Sequence, residues 1–311
     1  MTTLTIDAVG LKKTYGTRTA VRDLTLQVRR GEAFGFLGPN GAGKSTSIKM
    51  LLGLVKPTSG HAQLLGEPVG TRHARARIGF LPEHFRFYDW LSASELLLFH
   101  GRLCGLTEDV LRRKVPQLLE RVGLGAQYSK PIRSFSKGMM QRVGLAQAIV
   151  NDPEILFLDE PTSGLDPGGR KLVRDVIREQ RDRGATVFLN SHLLGEVEQS
   201  CDRVAFIREG EVVDMYEMGA WQADQMEIEI KAAHMDSAVL ARLAAIERLG
   251  IVAQDLRLEG QRLYLRVPSE DCLPDVVRCL VDCGAEVYSV IPQRVSLEDL
   301  FLQTVGQDPG L

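Results

Sequence analysis

The sequence predicts an α/β fold built on a mostly parallel sheet and followed by a small α+β domain. Three observations predict it. The apolar run Ala33–Leu37 leads into Gly38-Pro39-Asn40-Gly41-Ala42-Gly43-Lys44-Ser45, which fits G-x-x-x-x-G-K-[S/T] and opens a helix over 44–52. Strand signals at Ile155–Asp159, Thr186–Asn190 and 204–207 alternate with helical ones at 169–183 and 194–201, as a parallel sheet requires. Beyond Trp221 the order becomes strand (226–232), helix (236–247), strands (251–258 and 261–267), helix (271–283), strand (285–292). With Glu259-Gly260 as the turn between its middle strands, this βαββαβ order resembles a ferredoxin-like split βαβ unit.

The remaining elements follow in chain order. Residues 3–9 and 19–28 alternate apolar and polar side chains, as half-exposed strands do. After the glycine-rich loop and its helix, 56–60 turns into a short strand over 61–65, and Ile78–Leu81 makes a strand ending at Pro82-Glu83. From 92 to 150 the apolar spacing is helical, in segments over 95–103, 110–122 and 139–150. Pro116 is expected to kink or restart the middle one, because proline removes a helix hydrogen bond. Gly210-Glu211 forms a hairpin turn into 212–216, and a short helix over 296–302 closes the chain.

The chain of 311 residues is long enough for about two domains, and 25% of its residues are charged, with a net charge of −2. A general nucleic-acid binder would normally be basic. The charge is uneven: 220–311 holds 8 Lys/Arg against 15 Asp/Glu, which leaves +5 on 1–219 and supports a boundary near Gly219. Five scattered cysteines, Cys104, Cys201, Cys272, Cys279 and Cys283, and a beginning with neither basic nor apolar leader character point to a reducing cytoplasm. Cys272, Cys279 and Cys283 share a helix face with Val276 and Leu280, which suits core packing rather than metal binding. No run approaches the ~20 apolar residues of a membrane helix.

The chemistry lies in the loop and in what surrounds it. Glycines let the backbone N–H groups of 38–45 curl around phosphate, and the following helix adds partial positive charge. Lys44 can then reach the β- and γ-phosphates, and the Ser45 hydroxyl can hold Mg²⁺. The buried strand Ile155–Asp159 ends in paired carboxylates, Asp159 placed to orient Mg²⁺ and Glu160 to polarise an attacking water. Ser136, in Phe135-Ser136-Lys137-Gly138-Met139-Met140-Gln141-Arg142, opens an amphipathic helix, as an N-cap or an anion site. Asn190-Ser191-His192 ends a later strand, where a lone histidine is ordinarily structural.

Together, over residues 4–217, these motifs resemble the ATP-binding-cassette (ABC) ATPase family. That resemblance implies a P-loop NTPase core of ABC type over 1–219, with N-terminal antiparallel strands and an inserted helical subdomain over about 84–150. An accessory domain then fills 220–311. It implies that Tyr15 stacks on adenine and that Gly38, Pro39, Asn40, Gly41, Ala42, Gly43, Lys44, Ser45 and Thr46 wrap the phosphates. Asp159 and Glu160 become the Walker B pair, and His192 the switch histidine that senses the γ-phosphate. Ser136 and Gly138 of the signature contact ATP on the opposite protomer, and Ser163–Asp166 links the two sites, bringing in Asp166.

Two departures stand out. The signature, usually L-S-G-G-Q, is here Phe135-Ser136-Lys137-Gly138-Met139, and Glu83 stands where the coupling loop usually carries glutamine. A carboxylate there can accept from a metal-bound water but cannot donate as an amide does. Both variants, and the closing segment Val295-Ser296-Leu297-Glu298-Asp299-Leu300-Phe301, resemble the exporter-type branch whose membrane subunit is a separate chain. The resemblance therefore implies an ATP- and Mg²⁺-dependent homodimer on the inner face of the cell membrane, driving a multi-span permease and not contacting nucleic acid. The aromatic stretch His84-Phe85-Arg86-Phe87-Tyr88-Asp89-Trp90-Leu91 either packs the helical subdomain or anchors that permease. The rival is a soluble ABC ATPase acting on nucleic acid or ribosomes; this chain has one cassette and no long coiled-coil insertion. A guanine-nucleotide switch is disfavoured because no N-K-x-D element is present.

Overall fold

Residues in β3, β7 and β8 leave no side chain at the surface, and those three strands form the middle of the parallel half of a large sheet. The computed structural model describes residues 3–84, 86–218, 226–246, 256–267, 270–294 and 296–306. They fall into two units, Met1–Tyr216 with Phe301–Leu311, and Glu217–Leu300. In the first unit the chain runs β1 (Leu4–Tyr15), β2 (Arg18–Arg29), β3 (Ala33–Leu37), α1 (Lys44–Leu51), β4 (Ser59–Leu64), β5 (Glu67–Pro68), α2 (Arg72–Ala76) and β6 (Ile78–Leu81). It continues α3 (Ala93–Leu103), α4 (Glu108–Arg121), α5 (Lys137–Ala148), β7 (Ile155–Asp159), α6 (Pro167–Asp182), β8 (Thr186–Asn190), α7 (Leu194–Ser200), β9 (Arg203–Arg208) and β10 (Glu211–Glu217).

The sheet order is β5-β4-β1-β2-β10-β9-β3-β8-β7-β6. From β9 to β6 neighbouring strands are parallel, whereas β1, β2, β4 and β5 pair antiparallel. This matches the predicted mixture. Both faces of the parallel half are covered, and Phe34, Phe36 and Phe157 gather around Phe188 with ring centroids 5.2–5.7 Å apart. Phe301, from the end of the chain, sits edge-on to Phe206 at 5.5 Å.

Three differences from the sequence expectation have physical reasons. β1 extends to 12 residues because the register shifts between Ala8 and Leu11, where Gly10 takes φ +61°, and pairing resumes beyond the irregularity. The short β5 and α2, the latter capped by the Thr71 hydroxyl, are too brief to leave a periodic signal. Helix α4 neither ends nor restarts at Pro116. Leu111, Val115, Leu118 and Leu119 bury one face of it, while Pro116 and Arg112 face solvent, so water can reach the carbonyl that proline leaves unpaired.

The second unit contains β11 (Met226–Ala233), α8 (Ser237–Ala244), β12 (Arg257–Glu259), β13 (Arg262–Val267), α9 (Leu273–Asp282) and β14 (Glu286–Arg294); α10 (Leu297–Val305) follows. Its antiparallel sheet has the order β12-β13-β11-β14, that of a split βαβ unit. Of the expected strand over 251–258, residues 251–255 lie outside the described residues. Ile228, Ile230, Leu263, Leu265, Val276 and Leu280 form its core. Cys279 is buried there, with Cys272 and Cys283 packed against it, so the cysteines serve as core. Among the described residues no helix is long and apolar enough to cross a membrane.

Candidate nucleotide site

The tips of β3, β8, β7 and β6 stand side by side at one edge of the sheet, and the predicted residues follow directly from those tips. The loop from Gly38 leaves β3 and ends in α1, whose first residue is Lys44. Gly41 (φ +80°) and Gly43 (φ +100°) take left-handed backbone, and a Cβ at Gly43 would meet the Ala20 carbonyl at 2.5 Å. Ala42 N–H donates to the Pro39 carbonyl at 3.2 Å, and Gly210 N–H donates to Ala42 O at 2.8 Å, so the loop is braced on both sides. Lys44 Nζ donates to the carbonyls of Gly38 (2.6 Å) and Pro39 (3.0 Å), folding its charge over the loop it would share with phosphate. Ser45 is exposed and Thr46 half-buried on the first turn of α1.

β7 lies two strands from β3, about 10 Å away across β8. Asp159 ends it, buried, and Asn190 at the tip of β8 donates its Nδ2 to Asp159 Oδ1 at 2.5 Å. Burial raises the Asp159 carboxyl above its ordinary value; the Asn190 hydrogen bond opposes this, Glu83 adds to it, and Lys44 and Lys49 lower it. The Asn190 Oδ1 is buried and has no partner among the described residues.

Glu160 is the most constrained residue here. It holds φ +52°, uncommon for a side chain of its size, and its N–H donates to Asn190 O at 2.8 Å. Gln141 of α5 donates to the carbonyls of Glu160 (3.3 Å) and Pro161 (2.9 Å), locking the turn from below. The carboxylate, buried, meets His192 Nδ1 at 2.6 Å, while the histidine ring itself is largely exposed. Burial pushes Glu160 above the usual carboxylate range; His192 opposes the shift, and Asp159 and Glu83 reinforce it. The His192 ring is therefore tied to the candidate base.

Glu83 follows β6, the neighbour of β7, and is exposed. Tyr15 lies exposed at the end of β1, with Lys13 Nζ 4.9 Å above its ring. Ser136 caps α5: its hydroxyl accepts from Met139 N–H at 3.3 Å, the one hydrogen bond of that hydroxyl among the described residues, and its carbonyl accepts from Met140 N–H at 2.9 Å. Gly138 sits against Leu165, and Gly164 (φ +71°) lies beneath the Lys137 side chain. Asp166 caps α6 by accepting from Gly169 N–H at 2.7 Å and faces Arg142 at 3.6 Å. The structure thus brings Glu83, Asp159, Glu160 and His192 together at the tips of β6, β7 and β8, with Lys44 of the loop acting on Asp159, whereas Ser136 and Gly138 lie at the start of α5 next to the 163–166 turn.

A family model described as ABC transporter matches residues 21–163. An uncharacterised ABC transporter ATP-binding protein of Nostoc sp. is 38% identical over 94% of this chain and 85% of its own. The chain belongs to the ABC transporter ATP-binding family. It is an ABC ATPase, the ATP-binding subunit of a transporter. The Nod factor export ATP-binding protein I of Bradyrhizobium diazoefficiens is 34% identical to it, over 99% of this chain and 98% of that one. The solved structure of an ATP-binding subunit of an ABC transporter superposes with a TM-score of 0.66 at 32% identity, covering 71% of this ABC ATPase and 92% of that chain.

Sequence reasoning gave no role to Asn190 or Gln141, the two amides that hold Asp159 and the Glu160 turn. Asn190 had a faint signal, since it ends a strand beside the carboxylate strand. Gln141 had none, because its partners are backbone carbonyls 19 and 20 residues away.

Proposed function

We propose that this subunit binds two ATP between two copies of itself and uses their hydrolysis to drive a separate multi-span permease in the direction of export. The carrying observation is that an exposed Ser136 opens a twelve-residue helix, its hydroxyl meeting only Met139 N–H among the described residues, with half-exposed Gly138 on the first turn. A hydroxyl and free N–H groups at a helix N-terminus suit a phosphate, and in this reading the partner copy supplies it. The Gly38–Thr46 loop holds the phosphates of one ATP, Tyr15 stacks on its adenine, and Asp166 lies at the junction between copies.

Oxygen donors suit Mg²⁺, and the set fits: the Ser45 hydroxyl, the Asp159 and Glu83 carboxylates, and a buried Asn190 oxygen with no partner among the described residues. Ser45 and Asp159 would hold the ion directly or through water, with Glu83 beside them; when bound it neutralises charge on the phosphates. Glu160 takes the proton of the attacking water, and His192, already bonded to its carboxylate, orients it and responds to loss of the γ-phosphate. With the phosphate gone, nothing bridges the copies and the dimer opens.

The permease docks in a groove of about 660 Å³ between the 82–88 segment and α3. Tyr88 packs there against Trp90 (5.2 Å between ring centroids) and Phe99 (5.9 Å). Trp90 and Leu103 stay 68% and 69% exposed, so these side chains form a surface rather than a core. We place the cassette over 1–219 and an accessory domain over 220–311, on the cytoplasmic side of the membrane. Export follows the name of the Bradyrhizobium relative, a Nod factor export ATP-binding protein.

The test is a pull-down of tagged Glu160→Gln protein with ATP from detergent-solubilised membranes of its own cell. A multi-span membrane protein as dominant partner, lost when Phe87 or Tyr88 is replaced by Glu without loss of ATP binding, is expected. Ribosomal partners, or capture indifferent to those substitutions, would contradict it.

A further inference from the structure

The chemistry of the groove specifies its occupant further than apolar fit does. Among the described residues lining it none is Asp or Glu, while Arg75, Arg86, His84 and His100 all contribute. Arg75 donates to the Gly53 carbonyl at 3.1 Å and meets no carboxylate among the described residues. Arg86 is exposed and has no hydrogen bond or ion pair among them. Elsewhere in the cassette, arginines face acids: Arg77 meets Glu154 at 2.6 Å, Arg174 meets Glu196 at 2.6 Å, and Arg203 meets Glu32 at 2.9 Å. The carboxylates flanking the 84–88 stretch in sequence, Glu83 and Asp89, are not part of the lining. Glu83 lies 3.9 Å from His84 but acts on Asp159 and Glu160.

We propose that the permease segment seated in this groove is acidic, a short apolar helix presenting at least one carboxylate to Arg75 and Arg86. The proposal rests on the docking reading above. Leu54 and Leu103, 62% and 69% exposed, take the apolar side of such a helix, and the two guanidiniums form charge-assisted hydrogen bonds with its acid. A basic segment would meet like charge in a partly desolvated groove, so the same arginines discriminate between permeases. His100 adds a hydrogen-bonding ring rather than charge, since burial holds it below its ordinary value.

The experiment replaces Phe99 with the photoreactive p-benzoylphenylalanine in the full chain inside its own cell, and sequences the adduct by mass spectrometry. The expected adduct lies on a multi-span membrane protein, with an Asp or Glu within one helical turn of the cross-linked residue. Combining Arg75→Glu and Arg86→Glu should cut adduct yield at least tenfold while ATP-induced thermal stabilisation persists. Changing the partner's acid to Lys in that background should restore the yield. An adduct peptide without a carboxylate, or a yield indifferent to charge reversal, overturns the proposal and leaves groove docking standing. No adduct on any membrane protein removes the docking reading, and this proposal with it.

Discussion

As the proposed base, Glu160 carries opposing demands at the scale of one residue: it would have to ionise to take a proton, yet its surroundings disfavour the charge. Replacing it with Gln should lower turnover by about 10²–10⁴-fold, the usual worth of a general base, read as phosphate release. Because burial raises its value above that of the unfolded chain, the ionised group costs stability as pH rises through that raised value. Glu160→Gln should therefore raise the Tm of nucleotide-free protein at pH 7–8. The gain should vanish below about pH 4, where both folded and unfolded carboxyls are protonated. The acid limb of the wild-type rate should accordingly fall above the ordinary carboxylate range; a limb at or below that range would contradict burial as the cause. Lys44, Ser45 and Asp159 were legible in the sequence because motif spacing ties them to an apolar strand and a helix start. The Glu160–His192 pair was not, since 32 residues separate its members and only the adjacency of β7 and β8 joins them.

At the scale of elements, close backbone approach and helix chemistry make the predictions. A Cβ at Gly79 of β6 would collide with the Ala148 carbonyl at the end of α5, the helix that carries the signature. Gly79→Ala should destabilise by about 1–3 kcal/mol and lower the Tm by several degrees in differential scanning calorimetry. Pro116→Ala should act the other way. Pro costs about 3 kcal/mol in a helix interior and returns up to about 1 through the unfolded chain, so a gain near 2 kcal/mol is expected in urea titration. No gain would mean that α4 is shaped around its proline. Long apolar strands and helices were readable to within a few residues because period and burial agree. What escaped was short or conditional: two-residue β5, one-turn α2, the shifts in β1, and a proline tolerated because it faces water.

At the scale of the whole molecule, the ABC ATPase keeps its phosphate loop and the Ser136 helix on separate elements, and in the proposed dimer a second copy completes the site. The sequence revealed the parts more readily than their relation because each motif is local, whereas the proposed partner of Ser136 belongs to a second copy. The groove was read only as an aromatic stretch, because its arginines come from α2 and the loop after β6, which meet only in the fold. The direct measurement is the mass of Glu160→Gln protein by light scattering, with ATP and Mg²⁺ and again with ADP. Two chains with ATP, one with ADP, and one throughout once Ser136→Glu is added are predicted. A single-chain mass with ATP demonstrably bound, or a dimer indifferent to nucleotide and to Ser136, would contradict the shared site.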